Sequence, residues 1–179
     1  NVNGVKTVTY LKIQPTRVGG NLTALVGVNT ETFNEVWRVG VVNSTYTLDE
    51  IFTRLTQDNN SMIMGSGLAG RLHISPGDNV SVLVEGGKIQ NFTVLAVFFA
   101  SEFINLGPIG EAEMTMADYK ALVNFFPIQY NTTKDANIFL AKVNQGEDPS
   151  VVADRITAAT GEKIYIFTVS DVLREVEDG

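Results

Sequence analysis

Residues 62–98, MIMGSGLAGRLHISPGDNVSVLVEGGKIQNFTVLAVF, decide the fold. The run Ser61-Met62-Ile63-Met64 reads as a short buried strand. Gly65, Gly67 and Gly70 follow in the order G-x-G-x-x-G, and Glu85 lies twenty positions past Gly65. That is most of a dinucleotide-binding fingerprint. The fingerprint also needs a full crossover helix whose N-terminus faces the pyrophosphate, at least about 10–12 residues with its loops. Pro76-Gly77-Asp78 breaks the chain six residues after Gly70. Only about two helical turns, 66–73, fit before the next strand. Glu85 then reaches its distance because a hairpin strand follows directly. The reading is therefore structural. Gly65 and Gly67 are expected to turn the chain sharply from strand to helix, and Leu68, Ala69 and Leu72 to face the core. No cofactor is expected.

Working outward, Val80, Val82 and Val84 alternate along 79–85, Gly86-Gly87-Lys88 makes a hairpin turn, and 91–99 returns. Alternation at period two marks half-buried strands. Upstream, 5–12 and 22–28 read as a hairpin about the turn cluster Arg17–Asn21. Thr47 and Glu50 have capping-box spacing, and Ile51, Phe52 and Leu55 give one apolar helical face ending near Asp58. Downstream, Thr115 is expected to cap a helix from Met116 to about Phe126, stopped by Pro127. Residues 136–168 read as a β-α-β unit. Asp148 caps its helix, Pro149 takes the first helical position, and Val152, Ile156 and Ala159 face the core. Gly161 sits past the helix end, where a left-handed residue is needed. A strand over 163–168 and a short helix over 171–177 close the chain.

The chain has 179 residues, 44% hydrophobic and 18% charged, ordinary values for a globular protein. Its net charge of −7 argues against a nucleic-acid partner. It has no cysteine and one histidine, His73, which excludes disulfides, thiolate metal sites and a His-based zinc centre. His73 is read as a cap or surface residue. The longest apolar run, 94–100, falls far short of the roughly 20 residues that cross a bilayer. N-x-S/T sequons begin at Asn21, Asn43, Asn59, Asn79, Asn91 and Asn131, six where composition alone gives roughly two. That excess points either to a polar surface rich in Asn and Thr or to an extracytoplasmic, glycosylated one.

The stretch 62–98 resembles the extracytoplasmic (periplasmic core) domain of ABC transporter permeases of the MacB/FtsX type, including the lipoprotein-releasing branch. The residues that carry the resemblance are Ile63-Met64-Gly65, then Leu68, Ala69 and Leu72, then Gly77-Asp78, then Phe92 and Val94. Ala96 stands where the family usually has Gly. Asn3-Gly4-Val5 resembles the family's domain opening, and Leu25-Val26-Gly27-Val28-Asn29 a family strand. The resemblance implies an α+β fold: a porter-like β-α-β lobe, 1–58 with 115–179, and an inserted small β-rich lobe, 59–114. Hinges are expected near Asn59-Asn60 and Gly107-Pro108-Ile109-Gly110. It implies flanking transmembrane helices absent from this chain and placement at the cell membrane, on its extracytoplasmic face. An ATP-binding domain or subunit and a homodimer in the full transporter are implied too. No Walker A sequence occurs in the chain.

The implied role is mechanical. Cytoplasmic ATP hydrolysis moves the membrane helices, and this domain moves with them to push substrate or signal outward. No catalytic set is expected. Trp37, Phe103, Ile104 and Leu106 are the candidate contacts for an extracytoplasmic partner or a lipid-like substrate; the other reading puts Trp37 in the core and uses Phe103, Ile104 and Leu106 to plug the seam between lobes. The alternative is a free-standing extracellular binding or adhesion module.

Overall fold

The computed structural model describes residues 2–37, 39–99, 113–128 and 138–160. In chain order the elements are β1 (Val5–Val18), β2 (Asn21–Val28), α1 (Phe33–Val36), β3 (Gly40–Asn43), α2 (Leu48–Gln57), β4 (Ser61–Gly65) and α3 (Ser66–Leu72). Then come β5 (Asn79–Val84), β6 (Lys88–Phe99), β7 (Thr115–Asp118), α4 (Tyr119–Phe125), β8 (Ile138–Val143) and α5 (Pro149–Thr160). The fold is α+β, a mixed sheet with helices. Two compact units are present: Asn1–Val8 with Leu140–Gly179, and Thr9–Phe139. The lobe bounds expected from the sequence are drawn differently, and β4, β5 and β6 share one sheet with β2 and β7.

In the larger unit the strands run β2-β7-β4-β6-β5-β1, and β1 pairs β2 again, so the sheet closes on itself. The β1–β2 ladder is long, from Leu11 opposite Val28 to Val18 opposite Asn21. Gly19 and Gly20 make its turn at φ 56° and 81°, where a Cβ is disfavoured. The β1–β5 contact is short: Val18 opposite Val82, with Gly19 N–H donating to Ser81 C=O at 2.7 Å. Alternation sets the core. Val80, Val82, Val84, Phe92 and Val94 pack with Met62, Met64, Leu68 and Leu122 in one buried cluster.

The capping box of α2 is formed as its spacing predicts. Thr47 N–H donates to Glu50 Oε2 at 2.7 Å, and Glu50 N–H to the Thr47 hydroxyl at 3.3 Å. Ile51, Phe52 and Leu55 are buried. The bond from the Thr47 backbone, then that with its side chain, holds the Glu50 carboxyl below its ordinary value. A depressed carboxylate contributes stability that is complete above its unfolded pKa and lost as pH falls through the folded one. The midpoint difference between wild type and Glu50→Gln should therefore shrink as pH is lowered through the acidic range. Thermal melts along a pH series check this, and a constant difference would refute it.

One expectation is corrected here. Thr115 does not cap a helix. Residues Thr115–Asp118 form the buried strand β7, parallel to β2 from Leu25 opposite Thr115 to Val28 opposite Asp118. The helix starts at Tyr119, capped by Asp118, whose Oδ1 accepts from Lys120 N–H at 2.8 Å. A slot between β2 and β4 needs a strand there, and tertiary pairing overrides helix propensity. Gly65 and Gly67 stand, as expected, where the chain turns from β4 directly into α3. Gly65 caps α3 at φ −62°, ψ 144°, and neither glycine has positive φ.

In the smaller unit β8 pairs β1 in the sheet order, and Asn144 N–H donates to Gly4 C=O at 2.8 Å. Asp148 Oδ1 accepts from Ser150 N–H at 2.9 Å at the start of α5. Val152 of α5 is buried, but Ile156 is half-buried and Ala159 exposed, so the expected core face narrows to its first turn. Gly4 has φ 93°, and a Cβ there would meet Val152 Cγ2 at 2.8 Å. Gly161, the strand over 163–168 and the helix over 171–177 lie outside the described residues.

Candidate functional site

The motif stretch folds into a clamp. Gly65 N–H donates to Met114 C=O at 2.9 Å, which ties the head of α3 to the chain entering β7. Leu68 and Ala69 are buried, and Leu72 packs beside them. His73 closes α3 in left-handed backbone, φ 53° and ψ 42°. The turn then locks onto β6. Gly77 N–H donates to Val94 C=O at 2.8 Å, Val94 N–H to Asp78 C=O at 2.9 Å, and Ser75 N–H to Asp78 Oδ2 at 2.8 Å. Gly77 has φ 94°, so this turn requires glycine. Phe92 and Val94 are fully buried, Phe92 edge-on to Phe125 at 5.4 Å.

The topology separates this clamp from a dinucleotide site. β4 is parallel to β6 and β5 antiparallel to β6, so β4 and β5 run in opposite directions. A dinucleotide unit needs parallel strands joined by its crossover helix. The Glu85 carboxylate accepts from Ile128 N–H at 3.0 and 3.1 Å. Gly70 faces open space in mid-helix. Gly70→Ala should therefore stabilise the protein by about 0.5–1 kcal/mol. Urea unfolding checks this, and a loss of stability would show a backbone approach at Gly70 that the structure lacks.

Sequence reasoning missed a groove in the larger unit. An open depression of ≈ 530 Å³ lies among Pro15, Arg17, Leu22, Val84, Phe126 and Ile128. Leu22 is 72% exposed and Ile128 82%. These residues come from the β1–β2 hairpin, the β5–β6 hairpin and the segment after α4. No local pattern joins them, though Leu22 and Ile128 each stand as lone apolar residues beside turn residues.

Sequence reasoning also missed a polar seam inside the same unit. Lys12 is fully buried, its Nζ over the Tyr119 ring at 5.6 Å. Tyr10 meets Tyr119 edge-on at 5.3 Å. Burial pushes the Tyr10 hydroxyl above its ordinary pKa, and Tyr119, Asp118 and Glu31 add to the rise. The Thr30 hydroxyl donates to Asp118 Oδ2 at 3.0 Å and pairs with the Thr56 hydroxyl at 2.6 Å; Thr32 donates to the Thr9 hydroxyl at 2.8 Å. The seam ties β1, α2, β7 and α4 together. The hydrogen-bonded members, Thr30, Thr56 and Asp118 together with Thr32 and Thr9, rigidify this part of the core.

Of the predicted contact residues, Trp37 is half-buried just past α1, its backbone N–H donating to Phe33 C=O at 2.8 Å. Phe103, Ile104 and Leu106 lie outside the described residues, as does the expected hinge at 107–110. Asn59-Asn60, the other expected hinge, sits in a hydrogen-bonded turn. Asn60 N–H donates to Asp58 Oδ1 at 2.9 Å, and Thr93 N–H to Asn60 C=O at 2.8 Å. Among the described residues no group of three His, Asp or Glu could hold a metal, and no helix is long and apolar enough to cross a membrane.

No protein-family model matches the sequence, and no curated protein matches it. Solved structures do. The chain is similar to the extracellular domain of the noncanonical ABC-type transporter YknZ from Gram-positive bacteria, with TM-score 0.58 and 16% identity over 91% of this chain and 80% of that one. It is similar to the periplasmic region of MacB from Actinobacillus actinomycetemcomitans, with TM-score 0.58 and 13% identity over 99% and 78%. A domain of a permease protein from Porphyromonas gingivalis matches with TM-score 0.57 and 13% identity over 91% and 66%. The likeness is one of fold. The chain has the fold of extracytoplasmic domains of ABC transporter permeases.

Proposed function

We propose that this chain is the extracytoplasmic domain of an ABC transporter permease and that it carries membrane-helix motion outward. The observation that supports this best is a fold shared along 91–99% of the chain with three permease domains. In this reading the domain sits on the outer face of the cell membrane between transmembrane helices. An ATP-binding domain or subunit drives it, and the whole transporter is a homodimer. Mechanical transmission needs stiff bodies joined by few segments. The closed strand order and the Lys12–Tyr119–Asp118 seam suit the larger unit to that task, and β1 and β8 carry the chain between the two units. The groove beside Leu22 and Ile128 is then a surface for an external partner or a lipid-like substrate, and Trp37, Phe103, Ile104 and Leu106 are further proposed contacts.

The test has two parts. The gene should encode apolar runs of roughly 20 residues on both sides of this segment. Without them the permease reading fails, and an extracellular binding module that uses the Leu22–Ile128 groove takes its place. In the reconstituted transporter, spin labels on Lys6 and Glu31, one in each unit, should change separation between ATP-bound and ADP-bound states. An unchanged separation would refute transmission through relative motion of the units.

A further inference from the structure

The structure assigns Asn79 and Asn91, on the outer face of the β5–β6 hairpin, as attachment sites for N-linked glycans. Two sequons face one another there. Asn79-Val80-Ser81 lies on β5 and Asn91-Phe92-Thr93 on β6, with Asn79 opposite Thr93 and Ser81 opposite Asn91. Period-two alternation sends Val80 and Phe92 into the core and turns all four polar residues outward. Asn79 and Asn91 are exposed, and the Thr93 hydroxyl donates to Asn79 Oδ1 at 3.1 Å. That bond engages the Asn79 carboxamide through its oxygen, and not through the Nδ2 that would carry the glycan. The two asparagines are diagonal neighbours, about 7–8 Å apart. Two glycans would thus rise from one patch. They would also cover Ile89, an apolar side chain 62% exposed two residues before Asn91 on the same face.

Asn131 lies outside the described residues, and the remaining sequons sort by the same physics. At Asn21, Thr23 is buried and its hydroxyl is committed to Glu113 C=O. At Asn59, the side-chain Oδ1 is buried, and the Ser61 hydroxyl is buried and bonded to Asp58 C=O at 2.6 Å. A glycan at either site would require local unfolding. Asn43 and Thr45 are both exposed, so Asn43 is a third accessible acceptor, apart from the pair. The donor is an oligosaccharide on a lipid phosphate. The bond between its anomeric carbon and the phosphate oxygen breaks, and a bond from that carbon to Asn Nδ2 forms. The amide gives up one proton, and the lipid phosphate leaves with the electron pair.

This inference rests on the extracytoplasmic placement proposed above, where such transfer occurs. The experiment is peptide mass spectrometry on the full-length protein purified from the membranes of its own organism. Arg17, Arg38, Arg54, Arg71, Lys88 and Lys120 place Asn21, Asn43, Asn59, Asn79 and Asn91 on separate tryptic peptides. Glycan mass is expected on peptides 72–88 and 89–120, with peptide 55–71 bare. Thr93→Ala should strip Asn91 and leave Asn79 modified. In parallel, Asp49→Cys on the exposed first turn of α2 adds one thiol to a domain that has none, for labelling in intact cells with a membrane-impermeant maleimide. A labelled protein with bare 72–88 and 89–120 peptides overturns the glycan assignment and leaves the placement standing. An unlabelled, bare protein overturns both. Equal occupancy on 55–71 overturns the claim that folded-state exposure selects the sites.

Discussion

Phe92→Ala should lower stability by about 3–5 kcal/mol, the range for emptying an aromatic site in a packed core. Phe92 is fully buried and meets the Phe125 ring at 5.4 Å with the planes 64° apart. Its neighbours come from both sides of the motif stretch: Val80 opposite it on β5, and Val94 two residues along β6. The turn at Gly77 and Asp78 pins β6 through Val94, so the strand cannot slide to refill the cavity. Little relaxation means the cavity term is kept in full. Phe92→Leu should cost much less, because most of the volume stays. Guanidinium unfolding of the three proteins gives the result. A loss under about 1.5 kcal/mol for the alanine variant would mean that the cluster around Phe92 can collapse.

How legible this was varied with the range of the interaction. Signals confined to one turn or one strand pair read directly. Thr47 and Glu50 sit three apart and form their box, the Pro76-Gly77-Asp78 turn lies where its composition puts it, and the valines at 80, 82 and 84 all point inward. Signals that depend on a distant partner did not read. Thr-Met-Ala-Asp at 115–118 looks like the start of a helix until β2 and β4 are placed on either side of it. Lys12 sits between apolar strand neighbours, and nothing local shows that Tyr119, more than a hundred residues away, will cover it. The groove beside Leu22 and Ile128 exists only because two hairpins and the end of α4 meet in space. The glycines of the 65–70 run gave the opposite difficulty. A pattern with a known chemical meaning was present, but the strand that follows runs antiparallel to the one before, and the meaning depends on that direction.

Gly27→Val should be a severely damaging change in β2, at about 3 kcal/mol or more, because it overpacks a contact that has no slack. Gly27 lies opposite Lys12 on the face that α4 covers. A Cβ there would stand 2.6 Å from Leu122 Cδ1, 2.8 Å from Leu122 Cγ and 3.2 Å from Tyr119 Cα. The first two atoms belong to a fully buried leucine in the central cluster, and the third is backbone. A side-chain tip could swing away; a helix backbone must move as a whole. Moving α4 would also disturb the Tyr119 ring over Lys12 and the Asp118 cap bonded to Thr30. The cost therefore spreads into the polar seam, where an unmet partner is expensive. Gly27→Ala should lose about 1–3 kcal/mol by the same contact, and pairing either variant with Leu122→Ala should recover part of the loss. A double-mutant cycle in urea measures this. If Gly27→Ala and Leu122→Ala prove additive, the helix does not rest on the glycine, and the close approach of α4 to β2 is wrong.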